Sequence, residues 1–386
     1  MKYTFYIYLF LLATFIACKS EDRKTEVDNT IAEVKEDFAP DKRVALFDVQ
    51  WKDGKLIGET NLPEAHDALL AKLAANDIEF SDSIQLLPAA ELGSKHLALV
   101  TNSVANIRSA PKHSAELATQ ALMGTPLNVF KSYGSWYLVQ TPDDYISWVD
   151  AAAIVLVDQP TLNKWFEKEK VVVTEMISSI YSDDNFEDIV SDVTAGNVLE
   201  VNGYQNGNYL VTLPDQRTGV IQGDHAISYE VWKNSRNTSD SNLIQTAQKM
   251  MGSPYLWGGT SPKGIDCSGF TKTIYFLNGM VIPRDASQQI NEGELIDEDK
   301  NWENLQVGDL LFFGVPATDT TRERVVHVGM WIGDGKFIHS RGRVRISSFD
   351  PEDELFDAAE LKRYLRTKRI RNQPSENILT VEQVLQ

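Results

Sequence analysis

The middle of this 386-residue chain repeats itself without a gap at a spacing of 72 positions, and each copy carries alternating apolar segments separated by glycines. Short alternating segments between glycine turns are typical of β-strands. Two successive copies of such a unit predict two small β-barrels. The identical pairs are Gly124 and Gly196, Leu127 and Leu199, Val129 and Val201, Tyr137 and Tyr209, Leu138 and Leu210, Val139 and Val211, Pro142 and Pro214, and Asp143 and Asp215.

The N-terminus has the pattern of an export signal. An apolar run from Tyr3 to Ala17 ends at Cys18 and is too short to span a membrane comfortably. The residues Phe15-Ile16-Ala17-Cys18 resemble a bacterial lipoprotein signal, which implies cleavage before Cys18 and lipid attachment to it. We therefore predict a signal peptide over residues 1–18 and an exported, membrane-anchored lipoprotein. The alternative is an ordinary secretory signal with a chance cysteine.

Charge and cysteine content limit the partners and the redox chemistry. A net charge of −18 without a long basic run argues against binding nucleic acid. With Cys18 lipidated, Cys267 has no partner for a disulfide within the chain and is a free thiol. The histidines outside the C-terminal third show no metal-ligand spacing, so we expect no metal and no organic cofactor. They are His66, His96, His113 and His225.

The sequence divides into several segments. Residues 19–40 are polar and highly charged and predict a flexible tether. A strand at Val44–Val49 and a helix at Pro63–Leu73 form a preface to the first repeat unit. The predicted domains are 41–160 and 161–233 for the two repeat units, 240–372 for a C-terminal domain, and 373–386 for a tail.

The C-terminal domain carries a cysteine in a constrained position. Gly252 and Pro254 end a helix predicted at Asn242–Met251. The segment Gly264–Phe270 then leads into an apolar helical stripe, which places Cys267 at or just before a helix N-terminus. That position stabilises a thiolate, the reactive form of cysteine.

Two strands farther along carry histidines. Val325–Ile332 and Lys336–Ser340 are joined by Gly333-Asp334-Gly335 and predict a hairpin. A three-residue loop would pair Ile332 with Lys336. A two-residue turn would shift this pairing and separate the two histidines.

In that register Gly329 lies opposite His339, and His327 lies opposite Arg341. The two histidines then become diagonal neighbours on one face, about 7–8 Å apart at their backbones, with Gly329 leaving room for the rings. A nucleophile, a base and a third group that orients the base make up a catalytic triad. Taken one at a time, a cysteine is often a small buried hydrophobic residue and a strand histidine is often structural.

Five motifs in order strengthen the catalytic interpretation. They are Pro254-Tyr255-Leu256-Trp257-Gly258-Gly259, Asp266-Cys267-Ser268-Gly269, Ile282-Pro283-Arg284, Gly308-Asp309-Leu310-Leu311-Phe312-Phe313 and His327-Val328-Gly329. From Asn242 to about Arg371 the chain resembles the NlpC-type peptidase family. The resemblance implies an α+β, papain-like fold with Cys267 as nucleophile, His327 as general base and His339 as the third polar residue.

The same resemblance implies a substrate pocket. Tyr255 becomes an oxyanion or substrate contact, and the pocket is lined by Asp266, Ser268, Arg284 and Ser287. The chemistry would be thiolate attack on an amide carbonyl, release of the amine and hydrolysis of the thioester.

The sequence of the repeat units indicates a class of substrate. Asn106–Pro111 and Gly134–Tyr137 resemble a bacterial SH3 domain, and the second copy is more diverged. Two SH3 domains before an NlpC-type domain resemble the γ-D-glutamyl-L-diamino acid endopeptidases of the dipeptidyl-peptidase VI type. The resemblance implies peptidoglycan stem peptides with a free N-terminal L-alanine as substrate, and an acidic residue and a tyrosine of the first SH3 domain that recognise the amine. Glu116 and Tyr145 occupy plausible positions for these roles.

Two other functions stay open at this point. The SH3 pair could bind wall polymer while the C-terminal domain serves as a scaffold without turnover. A papain-like amidase or acyltransferase acting on another amide would use the same thiol chemistry. The choice between an intact wall and a released peptide, and the preferred diamino acid, are not encoded in any motif.

Overall fold

The structure is a computed structural model that describes residues 23–385. The predicted signal peptide and Cys18 lie outside the described residues. The chain divides into two compact units between Gly93 and Ser94. Within the described part of the chain, the helices are too short or too polar to cross a lipid bilayer.

The first unit has its own hydrophobic core. Helix α1 contributes Val27, Ile31 and Val34 to this core, which also contains Leu69 and Leu73. The prediction of a flexible tether is therefore wrong for residues 23–38, because an apolar stripe at helical spacing is hidden among many charges. The elements are α1 (23–38), β1 (Phe47–Lys52), β2 (Lys55–Thr60), α2 (Pro63–Ala75) and β3 (Ser81–Leu86), in a sheet of order β1-β2-β3.

The second unit begins with two antiparallel sheets of seven strands. The first contains β4 (Leu97–Val100), β5 (Val104–Arg108), β6 (Leu117–Leu122), β7 (Pro126–Tyr133), β8 (Trp136–Gln140), β9 (Ile146–Asp150) and β10 (Ile154–Val157), and is followed by α3 (Gln159–Glu167). The second contains β11 (Lys170–Val173), β12 (Ile177–Tyr181), β13 (Ile189–Thr194), β14 (Val198–Gln205), β15 (Asn208–Thr212), β16 (Thr218–Gln222) and β17 (Ala226–Ser228), and is followed by α4 (Tyr229–Ser235).

The two sheets have the same topology. The first has the order β10-β4-β7-β8-β9-β5-β6 and the second, read from its other edge, has the order β17-β11-β14-β15-β16-β12-β13. Strands β6 to β9 begin and end 72 positions before β13 to β16. Even the bulge that follows Val129 recurs after Val201. The sequence repeat is thus a structural repeat.

Neither sheet closes into a barrel among the described residues, so the prediction of two barrels is not confirmed in that detail. The outer strands β6 and β10 of the first sheet lie at opposite edges. Strand β6 instead contacts the C-terminal domain, where the Gln120 side chain accepts a 2.9 Å hydrogen bond from the backbone of Thr260.

The C-terminal domain mixes helix and sheet, as predicted. Its six-stranded sheet has the order β21-β26-β22-β23-β24-β25. Phe270 and Ile274 of α6 pack against Phe312, Val328 and Ile338 of the sheet in one buried core. The elements are α5 (Asp240–Lys249), β18 (Thr260–Ser261), β19 (Gly264–Ile265), α6 (Cys267–Leu277), β20 (Met280–Val281), α7 (Ala286–Gln289), β21 (Glu294–Asp297), β22 (Leu310–Val315), β23 (Arg324–Gly333), β24 (Lys336–Arg341), β25 (Arg343–Ser348), α8 (Ala358–Arg363) and β26 (Tyr364–Arg369).

The C-terminal segment is part of the fold rather than a loose tail. Strand β27 (Leu379–Thr380) pairs with β20, and α9 (Val381–Leu385) follows it. Val384 lies in a core cluster that also contains Leu97 of the first sheet and Trp232 of α4. Apolar side chains of this short helix therefore pack in a core shared with both seven-stranded sheets and with β20 of the C-terminal domain.

Candidate active site

Cys267 is the first residue of α6, as the sequence predicts. Asp266 caps the helix, since its Oδ1 accepts a 2.7 Å hydrogen bond from the backbone of Gly269. The helix N-terminus favours a thiolate, but burial and the negative charge of Asp266 outweigh it and raise the pKa of the Cys267 thiol to about 12. Cys267 is therefore a neutral thiol in the resting protein.

The hairpin that carries the histidines differs from the prediction at its turn and agrees with it in register. Gly333 pairs with Lys336, which leaves a two-residue turn, and Trp331 pairs with Phe337. A bulge at Ile332 absorbs the extra residue. The bulge restores the register that a three-residue loop would have produced.

As a result the two histidines meet. Nε2 of His327 lies 2.7 Å from Nδ1 of His339, and both side chains are buried. A Cβ atom added at Gly329 would lie 3.2 Å from Cβ of His339, so glycine leaves the space that the rings need. Burial, the neighbouring His339 and three arginines lower the pKa of His327 well below its usual value. Burial likewise lowers the pKa of His339 to about 3, so both imidazoles are neutral.

Strand β23, which carries His327, lies beside Cys267. The sulfur of Cys267 interacts with the backbone N–H of Val328, the residue after His327. Because α6 packs on β23 in the domain core, the thiol and the imidazole come from elements that hold each other in place. The structure therefore brings the three predicted catalytic residues to one location.

Hydrogen bonds continue beyond the second histidine. Nε2 of His339 lies 3.0 Å from Oγ of Ser347 in β25, and this hydroxyl donates to Oδ2 of Asp357 over 3.3 Å. Asp357 also caps α8, since its Oδ1 accepts from the backbone of Glu360. Sequence reasoning missed Ser347 and Asp357, because neither lies in a motif and only the sheet brings them to the histidines.

A buried ion pair holds Asp266, the residue that precedes Cys267. Arg284 is 2% exposed, and its Nη2 donates a 2.6 Å hydrogen bond to Oδ2 of Asp266. The same guanidinium binds Oγ of Ser268 at 3.0 Å and Oγ1 of Thr119, in the first sheet, at 3.2 Å. Gln289, which the sequence analysis missed, donates to the backbone carbonyl of Ser268. Three predicted pocket residues thus form one network.

The two predicted residues of the first sheet reach this network. The indole Nε1 of Trp257 donates a 2.6 Å hydrogen bond to the carboxylate of Glu116. The next residue, Gly258, donates its backbone N–H to Asp266. The hydroxyl of Tyr145 lies 3.3 Å from Oδ2 of Asp285, the neighbour of Arg284.

Comparison with known proteins decides the family. Residues 252–359 match the NlpC/P60 family, and residues 107–154 match the bacterial dipeptidyl-peptidase SH3 domain. The chain is 32% identical over 265 residues to the gamma-D-glutamyl-L-lysine dipeptidyl-peptidase of Bacillus cereus, which covers 65% of this chain and 76% of that protein. The chain belongs to the NlpC/P60 family.

Further relatives agree with this assignment. The chain is 29% identical over 270 residues to dipeptidyl-peptidase 6 of Lysinibacillus sphaericus, covering 67% of this chain and 94% of that protein. The crystal structure of an NlpC/P60 family protein from Bacillus cereus has a TM-score of 0.60 at 26% identity, covering 71% of this chain and 99% of that one. The resemblance inferred from the five motifs is confirmed. These relatives support a peptidase of the NlpC/P60 type.

Two predicted pocket residues of the NlpC/P60 domain, Tyr255 and Ser287, lie outside the network of Asp266, Ser268 and Arg284. Tyr255 is bound to the domain through its backbone N–H, which donates to the carbonyl of Gly342 over 3.0 Å. Burial and the nearby groups of Cys267 and Asp266 raise the pKa of its phenol, which keeps the hydroxyl protonated as a donor. Ser287 lies in the first turn of α7, and its place in the pocket stays a prediction.

One cluster in the NlpC/P60 domain has the geometry of a metal site. Ligand atoms of His327, His339 and Glu360 all lie within 4.8 Å of one another. Glu360, however, is held by Arg363 at 2.6 Å and Arg341 at 2.9 Å, and the two imidazoles already bind each other. Positive charges next to the donors work against a cation, so these residues do not fit a metal.

Proposed function

We propose that this chain is a cysteine endopeptidase that hydrolyses the γ-D-glutamyl-L-diamino acid bond of peptidoglycan stem peptides whose N-terminal L-alanine is free. The observation that carries the proposal is the joining of two groups of residues: Cys267 with its histidine pair, and the Asp266 network with Glu116 of the first sheet. The first group supplies amide hydrolysis, and Glu116 in the second group supplies negative charge for a primary amine. The name of the Bacillus cereus relative, a gamma-D-glutamyl-L-lysine dipeptidyl-peptidase, supports the same bond.

The site residues account for each step of the reaction. As the sulfur of Cys267 attacks the amide carbonyl, its proton passes to His327, and a C–S bond replaces the C–N bond when the protonated His327 gives its proton to the leaving amine. Water, deprotonated by the same imidazole, then hydrolyses the thioester and regenerates the thiol. The helix N-terminus at Cys267 and the hydroxyl of Tyr255 provide donors for the developing oxyanion.

The charges explain why Glu116 is the residue to read the amine. Asp266 is already neutralised by the buried guanidinium of Arg284. The partner of Glu116 is the neutral indole of Trp257, so its carboxylate keeps a full negative charge at the edge of the site. An ammonium group placed there gains a charge-assisted hydrogen bond, whereas an acylated nitrogen does not.

The decisive experiment is mass spectrometry of products from L-Ala-γ-D-Glu-diamino acid peptides with a free or an acetylated amine. Cleavage after D-glutamate in the free peptide, lost in Cys267→Ala, supports the proposal. Equal cleavage of the acetylated peptide removes the amine-reading role and favours intact wall as substrate. No cleavage of either peptide contradicts the proposal and supports a scaffold or an acyltransferase.

We also propose that the chain is an exported lipoprotein anchored through Cys18. The support is the apolar run that ends in Phe15-Ile16-Ala17-Cys18. Metabolic labelling with an alkyne fatty acid should mark the wild-type protein in the membrane fraction. The Cys18→Ser variant should lose the label and leave that fraction, and a label that persists would contradict the anchor.

A further inference from the structure

We propose that Ser347 and Asp357 are positioning residues that set the tautomers of both histidines, so that Nδ1 of His327 is the bare nitrogen that acts as base. This inference rests on the proposed peptidase function. It follows from four groups in a row: His327, His339, Ser347 and Asp357, joined by contacts of 2.7, 3.0 and 3.3 Å.

Each hydrogen bond along that row needs one proton and one bare acceptor. A carboxylate can only accept, so the single hydroxyl hydrogen of Ser347 points to Asp357. The oxygen of Ser347 must then accept from Nε2–H of His339, which leaves Nδ1 of His339 bare. That nitrogen accepts from Nε2–H of His327. The proton of His327 is therefore on Nε2, and its Nδ1 has the free lone pair.

Without the carboxylate the row could run in the opposite direction. The hydroxyl of Ser347 could donate to Nε2 of His339, whose Nδ1–H would then donate to His327. In that arrangement the proton of His327 is on Nδ1, and the base is lost. Each histidine carries one proton in either arrangement, because burial lowers the pKa of both imidazoles.

Asp357 is held in place for this role. Its Oδ2 accepts a 2.8 Å hydrogen bond from Arg345 and lies 3.5 Å from Arg341, while its Oδ1 caps α8. The charged groups that act on the histidine pair are Arg341, Arg345, Arg363, Asp357 and Glu360. A substitution at Ser347 leaves all five charged groups in place. A change in the histidine tautomers in that variant therefore comes from the lost hydrogen bonds and not from altered charge.

The first test needs no substrate. Two-bond ¹H–¹⁵N correlation spectra of the mature chain labelled at histidine distinguish protonation at Nδ1 from protonation at Nε2. We expect His327, assigned by its loss in a His327→Gln variant, to be the Nε2–H tautomer in the wild type and to gain Nδ1–H in Ser347→Ala. A wild-type Nδ1–H tautomer, or no change in the variant, overturns the inference even if the peptidase activity is as proposed.

The second test is kinetic. Ser347→Ala should lower kcat about 100-fold with little change in KM, because a misplaced proton removes general-base catalysis. The acid limb of kcat/KM should also move to lower pH. Without Ser347, His339 is a weaker hydrogen-bond acceptor for protonated His327, so the pKa of His327 falls further. Ser347→Thr, which keeps the hydroxyl, should recover most of the activity, and Asp357→Asn, which can still cap α8, should behave like Ser347→Ala.

Ser348→Ala is the matched control. Ser348 is the next residue of β25 and is equally buried, but its hydroxyl donates to the carbonyl of Gly335 and is not part of the row that contains the histidines. We expect Ser348→Ala to keep kcat and the acid limb of the wild type. The inference fails if both variants lose activity to the extent that they lose thermal stability, and if neither shifts the acid limb of kcat/KM. Ser347 would then have only a structural role.

Discussion

The indole Nε1 of Trp257 lies 2.6 Å from the carboxylate of Glu116, although 141 positions separate them in the chain. Trp257 is 61% exposed, so this contact lies at the surface of the site rather than in the core. The backbone of the adjacent Gly258 binds Asp266, which caps the helix of Cys267. These two hydrogen bonds connect Glu116, which directly precedes β6, to the helix that begins at Cys267.

Glu116→Gln should therefore act on the amine end of the substrate. The variant keeps the shape and an oxygen for Trp257 but loses the charge, so we expect kcat/KM for the free-amine peptide to fall about tenfold, the value of one charge-assisted hydrogen bond. Steady-state kinetics on free and acetylated peptides measure the effect. The control is Glu200→Gln, on the second sheet, and an equal loss with both peptides would contradict amine recognition.

The pH profile should reflect a neutral thiol and a neutral imidazole. Burial lowers the pKa of His327 below 6.5, so its basic form persists into mildly acidic solution, and we expect the acid limb of kcat/KM below pH 6.5. Alkylation of Cys267 by iodoacetamide should rise with pH beyond pH 8.5, because burial raises the pKa of the thiol. Fast alkylation that is flat from pH 5 to pH 8 would reveal a resting ion pair instead.

Removal of the buried guanidinium should destabilise the second unit. Arg284→Met leaves the carboxylate of Asp266 buried without its cation, which costs about 3–5 kcal/mol of unfolding free energy. Urea denaturation measures this loss, and the double variant Arg284→Met, Asp266→Asn should recover part of it. The exposed pair of Arg217 and Asp215 offers the control, since Arg217→Met should cost less than about 1 kcal/mol.

The ion pair between Asp143 and Lys272 predicts acid sensitivity. Burial by itself raises the pKa of Asp143, but Lys272 at 2.6 Å outweighs it, so the folded pKa lies below the ordinary value of 3.8. The stabilisation is therefore present above pH 3.8 and is lost as pH falls through the folded pKa. Asp143→Asn should cost about 3 kcal/mol at pH 7.

The cost of Asp143→Asn should shrink below pH 3.8. Urea denaturation of the wild type and the variant at pH 7 and pH 3 provides the comparison. If the wild type and Asp143→Asn differ in unfolding free energy by the same amount at both pH values, the charge of Asp143 does not contribute to stability.

The hairpin that carries His327 and His339 shows which features a local sequence pattern predicts and which it does not. Alternation and the glycines predicted two strands and placed His327 and His339 on one face. The three-residue loop was wrong, because Gly333 pairs with Lys336, yet the bulge at Ile332 compensates for it. A bulge depends on how the strand fits the rest of the sheet, so no local pattern specifies it.

The sequence by itself determined the repeat, the position of Cys267 at a helix start and the order of the family motifs. These features depend on residues close together in the chain, where backbone geometry and side-chain periodicity act directly. Only the tertiary structure decided that α1 packs in a core, that Trp257 binds Glu116, and that Ser347 and Asp357 follow the histidine pair. Those contacts join residues from separate elements, and they exist only once the burial of apolar surface has brought the elements together.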